Sequence, residues 1–158
     1  MIVPSLPFLR LAALALALLP LAACGARPSE EAATKAALGT GATPEMVSLV
    51  NQYASFLAIP PELLHEVVRT ESGYNAAARN GPYLGLMQIN PQTARTMGYQ
   101  GPDAGLLDAE TNLRWAGAYL RGAYIVADGD LQEAIGWYRR GYYYEARDRG
   151  LLEETGLR

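Results

Sequence analysis

The sequence predicts an all-α domain interrupted once, in its middle, by a short irregular or extended segment. Three observations carry that prediction. Several stretches place apolar residues three and four apart behind recognisable helix starts. That spacing disappears between Ser72 and Ile89, where Gly73, Gly81, Pro82 and Gly85 mark turns. Half of the 158 residues are hydrophobic, which is enough to build one core.

Residues 1–23 read as a targeting segment ahead of that domain. Arg10 supplies the positive charge, Leu11 to Leu19 an apolar run too short for an ordinary span of ~20 residues, and Leu21-Ala22-Ala23-Cys24 a small-residue cleavage site. Cys24 is the only cysteine, so the chain has no intrachain disulfide to form. Residues 24–42 are rich in Ala, Gly, Thr and Glu and suit a flexible tether.

The domain is expected over 43–150. Thr43 is a good N-cap with Pro44 at the first helical position, and Met46, Val50, Tyr53 and Leu57 share a face. A second helix opens after Ile59 with Pro60 and Pro61, and buries Leu63, Leu64, Val67 and Val68. In the irregular segment, Tyr83 to Ile89 can form a short extended stretch. Asn90 and Pro91 start a short helix that Gly98 ends, and no periodicity follows from Gly98 to Leu107. Asp108 can cap the longest helix, about 109 to 127, with Leu113, Ala116, Tyr119, Leu120 and Tyr124 on its buried face. Asp130 and Glu133 form a capping box for the next helix, which Gly141 breaks. Residues 142–149 form a last helix, and 151–158 read as a polar tail free to fray.

Continuing the second helix's apolar face from Val67 and Val68 leads to Glu71, at the helix end and directly before Ser72-Gly73. Burial disfavours the charged form of a carboxyl group, which suits a general acid. The alternative is an edge residue pointing to water.

Composition excludes other functions. The net charge is −3, or −4 without Arg10, and no basic tract is present, so nucleic acid is not an expected partner. One histidine and one cysteine make no transition-metal site, and no cofactor is expected. The histidine, His65, lies beside the apolar stripe next to Glu66 and reads as a solvated helix residue.

Two resemblances add to this reading. Leu-Ala-Ala-Cys resembles the lipobox of bacterial lipoproteins. This implies that Cys24 becomes a lipidated first residue holding the protein on a membrane, with Gly25 directing it to the outer membrane. The alternatives are an ordinary secretory signal with an incidental cysteine, and an uncleaved anchor.

The second lies in an ordered set of motifs: Glu71-Ser72-Gly73-Tyr74-Asn75, then Gly85-Leu86-Met87-Gln88-Ile89-Asn90-Pro91 and Thr93-Ala94, then Asn112, Gly117, Tyr119-Leu120, Ala134-Ile135 and Tyr138. This set resembles the soluble lytic transglycosylase domain, the lysozyme-like helical module that cleaves peptidoglycan glycan strands, over roughly residues 45 to 145. The resemblance implies cleavage between N-acetylmuramic acid and N-acetylglucosamine, with Glu71 serving first as acid and then as base and a 1,6-anhydro product. It also implies a place on the periplasmic side of the cell envelope.

By the same resemblance, Ser72 bonds near the Glu71 carboxyl or the substrate N-acetyl group, Gln88 lines the cleft and Met87 packs under a sugar ring. Asn112 is structural or cleft-lining, and Tyr138 neighbours the acid. Leu86 and Ile89 read as core.

Ten tyrosines stand against two phenylalanines, and a tyrosine offers a sugar both a flat face and a hydroxyl. Tyr83, Tyr99, Tyr138 and the run Tyr142 to Tyr144 are therefore cleft candidates. The chain departs from the family pattern at Tyr138-Arg139-Arg140-Gly141, where an asparagine is expected at Arg139, and at the longer turn Gly81 to Gly85. From Ser72 to Pro102 there is no acid, whereas ordinary glycoside hydrolysis uses two carboxyl groups. A hydrolytic muramidase would thus need another group, and a glycan-binding lipoprotein without activity is the rival of a different class. A wall opener serving a secretion or other envelope machine is a further reading.

Overall fold

The computed structural model describes residues 42–157; the targeting segment, Cys24 and nearly all of the tether lie outside the described residues. Helices dominate, in the order α1 (Pro44–Leu57), α2 (Pro61–Ser72), α3 (Pro91–Thr96), α4 (Ala109–Val126), α5 (Leu131–Arg140) and α6 (Tyr143–Asp148). Two short strands, β1 (Arg79–Asn80) and β2 (Tyr83–Leu84), pair antiparallel between α2 and α3, with Arg79 opposite Leu84. A 3-10 turn, Asp103–Leu107, occupies the stretch that lacked periodicity, its amides closing on carbonyls three residues back.

The helix starts follow from their capping residues. Thr43 Oγ1 accepts from the Met46 amide, the Asn90 side chain from the Gln92 amide, and Asp108 from the Thr111 amide at 2.9 Å. Asp130 accepts from the Glu133 amide at 2.8 Å, but the capping box is only half formed. The Glu133 carboxylate turns away to Arg140, 2.7 Å from its Nη2, because a guanidinium is a stronger donor than the Asp130 amide.

α4 is the central element and packs against α1, α3, α5 and the 3-10 turn. Its buried Leu113, Ala116 and Leu120 join Val50 and Ala54 of α1, Leu64, Val67 and Val68 of α2, and Leu86 of the irregular segment in one core. Ala42, expected in the tether, is buried against that core. A smaller cluster gathers Ala123, Val126, Tyr142, Ala146 and Leu157.

This second cluster corrects the expectation for the C-terminal end. Residues 151–157 do not stand free: Leu157 and Thr155 are buried, and Arg121 Nη1 holds the Glu154 carbonyl at 3.2 Å. The apolar residues Leu151, Leu152 and Leu157, spread among polar ones, are what pack there.

His65 is also corrected. It is buried, with Nδ1 2.8 Å from the Tyr74 hydroxyl and Nε2 2.9 Å from Asn51 Oδ1. The neutral tautomer with its proton on Nε2 satisfies both, accepting from the tyrosine and donating to the amide oxygen. Burial pushes its pKa below the ordinary 6.5, and burial likewise raises that of Tyr74 to about 12. His65 thus ties α1, α2 and the chain leaving α2 together.

Candidate active site

Glu71 closes α2. Its helix holds Leu63, Leu64, Val67 and Val68 in the core, and the next turn of that face brings Glu71 to the core's edge with 24% of its side chain exposed. Gly73 ends the helix in the left-handed region (φ 59°), returning its amide to the Val68 and Arg69 carbonyls. Ser72 donates its hydroxyl back to the Val68 carbonyl at 3.2 Å, so its present partner is its own helix.

Arg139, on α5, reaches the acid from the neighbouring helix. Its Nε donates to Glu71 Oε1 at 3.2 Å and its Nη2 to Thr70 Oγ1 at 3.2 Å, with 53% of the arginine side chain exposed. A half-exposed pair of this kind contributes about 0.2–1 kcal/mol. Such a contact is readily exchanged for another.

Beside this pair lies an open depression of about 240 Å³, lined by Tyr83, Gln88, Ile89, Asn90, Thr93, Tyr119, Tyr138, Arg139, Arg140 and Gly141. One wall is a tight turn from Gly85 to Gln88, closed by reciprocal Leu84 and Ile89 amide–carbonyl bonds at 3.1 Å. Gln88 sits in the left-handed region (φ 50°), a conformation that costs of order 1 kcal/mol without a glycine. Its side-chain amide holds the turn, donating to the Gly85 carbonyl at 2.9 Å and the Ala78 carbonyl at 3.2 Å. Both ends of the Gln88 amide therefore differ: the nitrogen is committed, and the oxygen remains to accept from a ligand.

Asn112 anchors the turn from below. Fully buried on α4, it donates to the Leu84 and Leu106 carbonyls at 2.9 and 2.7 Å and accepts from the Met87 amide at 2.9 Å. It is structural rather than cleft-lining. Gly85, at φ 78°, lies so close that a Cβ would collide with the Asn112 amide and the Leu106 carbonyl.

Tyr138 joins the two walls. Its ring lines the depression, while its hydroxyl donates to the Met87 carbonyl at 2.8 Å across the fold. Burial, then the Glu71 charge and Tyr119, push its pKa well above the ordinary 10.0, so it remains a donor. The Tyr119 ring, which also lines the depression, lies tilted 5.6 Å from that of Tyr138 and 4.7 Å from that of the buried Tyr142.

Several expected site residues are placed elsewhere. Met87 is fully buried, so its side chain packs in the core and offers no face to a sugar; only its backbone serves the site. Tyr99 and Tyr142 are core residues, bonded through their hydroxyls to the Pro102 and Tyr119 carbonyls. Tyr83 lines the depression and is exposed, whereas Tyr143 and Tyr144 are exposed on a neighbouring surface with Trp137 and Arg140. Asn90, read from the sequence as a cap, and Thr93 also line the cleft. The signal for them was their place in the same motif run as Gln88, two and five residues further on.

Among the described residues, no group of three or more His, Cys, Asp or Glu side chains comes together as a metal ion would require. The two acids nearest in sequence after the irregular segment are committed: Asp103 pairs with Arg95, and Asp108 caps α4. No solved structure matches the chain. The family model of the transglycosylase SLT domain matches residues 48–150, a span that includes Glu71, the turn from Gly85 to Gln88 and Arg139; the chain belongs to that family, whose general work is transglycosylase-type lysis of peptidoglycan in the cell envelope.

Proposed function

We propose that this protein cleaves the β-1,4 bond between N-acetylmuramic acid and N-acetylglucosamine as a lytic transglycosylase, with Glu71 as its single acid and base. The observation that carries this reading is the absence of any carboxylate among the described residues lining the depression, with Glu71 beside it, paired to a lining residue. A two-carboxylate hydrolysis has no second group to use there.

The chemistry balances with one carboxyl group. Glu71 gives its proton to the glycosidic oxygen as the bond to C1 of muramic acid breaks, and the sugar's N-acetyl oxygen supports the positive charge. The carboxylate then takes the proton of the C6 hydroxyl, whose oxygen bonds to C1 and closes the 1,6-anhydro ring. Water is not consumed, and Glu71 ends the cycle protonated. Tyr83, Tyr138 and the Gln88 amide oxygen flank the space a sugar would fill.

Glu71→Gln keeps the size of the side chain and removes the proton transfer. With purified peptidoglycan, the wild-type protein is expected to release products ending in 1,6-anhydromuramic acid. The variant is expected to lose cleavage by at least ~10³-fold, in the upper half of the ~10²–10⁴-fold that one acid–base group contributes, because here it acts twice, while still binding glycan. Reducing ends would identify a muramidase. Absence of product from a folded wild-type protein that binds glycan would identify a binder, the reading that the Arg139 contact favours.

Lipidation of Cys24 would hold the domain on a membrane, each buried CH2 contributing about 0.8 kcal/mol, with outer-membrane placement suggested by Gly25. Replacing Cys24 by Ala should move the protein from the membrane to the soluble fraction. Unchanged fractionation would contradict the anchor.

A further inference from the structure

We propose that Arg139 is a carboxylate-recognition residue at the mouth of the cleft, held on Glu71 at rest and transferred to a carboxylate of the substrate on binding. The inference rests on the lytic transglycosylase reading and names the chemistry of the substrate that the site selects.

Geometry supplies the argument. Arg139 Nε donates to Glu71 Oε1, the group that must itself deliver a proton. An oxygen accepting from a guanidinium presents no proton to a glycosidic bond. With Arg139 in place only Oε2 is left to carry that proton, so departure of the arginine frees the whole carboxyl for the reaction, and its other contact is only the neutral Thr70 hydroxyl at 3.2 Å. Both contacts are single bonds near the long end of the hydrogen-bond range, whereas a free carboxylate can take a guanidinium by two parallel bonds. The arginine is half exposed and lines the depression, so such a group can reach it without rearranging the core.

Arg140 cannot make the same exchange so easily. It is bonded to Glu133 at 2.7 Å and lies over the Trp137 ring, 3.7 Å from its centroid. Among the described residues this leaves Arg139 as the cation with a displaceable partner at the cleft, and its displaced partner is Glu71 itself. Binding of a carboxylate thereby frees Oε1 of Glu71 as well. A glycan without a carboxylate leaves the resting contact in place.

Peptidoglycan offers carboxylates from two sources, the stem peptide and, after peptide removal, the lactyl group of muramic acid. Three substrates separate them: strands with intact stems, strands stripped of peptide by an amidase, and stripped strands whose lactyl carboxylates are capped as neutral amides. Wild type and Arg139→Gln would be compared on each by kcat/KM, with Arg139→Lys as the variant that keeps charge and loses the two-bond fork.

The expected result is a loss of at least tenfold for wild type on capped strands relative to its better charged substrate, a ratio near one for Arg139→Gln, and an intermediate ratio for Arg139→Lys. A preference of wild type for intact over stripped strands assigns the stem; the reverse assigns the lactyl group. Equal discrimination by wild type and a folded Arg139→Gln would overturn the proposal. So would wild-type cleavage of capped strands at the full rate. Failure of the underlying reading has a different signature, since it would leave no anhydro product from wild type on any substrate.

Discussion

The two walls of the cleft are built on opposite physical terms. The turn from Gly85 to Gln88 is fixed by hydrogen bonds from Asn112, which are buried, and from Gln88 and Tyr138, which are part-buried, each with neutral partners. The acid wall carries Glu71 on a half-exposed ion pair with Arg139 that solvent and substrate can both reach. Shape is therefore set on one side, where misplacement would be costly, and the ion pair is left exchangeable on the other. A deeply buried Glu71–Arg139 pair would be hard to part, because removing either partner would leave an uncompensated charge.

That contrast can be broken first at its strongest point. Asn112→Ala would strand the Met87 amide and the Leu106 carbonyl and leave the Leu84 carbonyl with the Ile89 amide alone. With each orphan costing about 1–3 kcal/mol, a loss of about 3–5 kcal/mol is expected in urea unfolding. Tyr138→Phe removes one bond to the same turn and is expected to cost about 1–2 kcal/mol. A loss for Asn112→Ala no larger than that for Tyr138→Phe would mean the turn is held by packing instead.

A smaller effect comes from His65, whose pKa burial lowers from 6.5. The unfolded chain takes up the proton near pH 6.5, while the folded chain resists it until lower pH. Stability is therefore full above 6.5 and falls as pH drops through the folded pKa, by at most about 1.4 kcal/mol per pH unit. His65→Gln should flatten the urea midpoint between pH 6.5 and 5. An equal slope in both proteins would show that other groups carry it.

Local signals explain why so much of the frame was legible. Thr43, Asn90, Asp108 and Asp130 each bond an amide at the start of a helix, a contact made within three residues. The long apolar face of α2 led to Glu71 by the same short-range logic. What was not legible depended on partners far along the chain. Tyr138 meets Met87 across 51 positions, Arg139 meets Glu71 across 68, and Asn112 meets Leu84 across 28.

His65 illustrates the limit from the other side. A histidine one place off an apolar stripe reads as solvated until Asn51 of α1 and Tyr74, folded back in the left-handed region, close over it. Met87 fails in the same way: its motif placed it at the cleft, but the turn that exposes Gln88 aims the preceding side chain inward. In a tight turn, adjacent residues are sent in different directions, and the sequence carries no record of which one goes out.

The central claim, that one carboxyl group closes an anhydro ring without a water nucleophile, is tested most directly by cleaving peptidoglycan in heavy-oxygen water and weighing the fresh products. The account predicts anhydromuramic ends with no label from solvent. One heavy oxygen at C1 of each new end would contradict it and require a water-positioning group in the place left empty of acids.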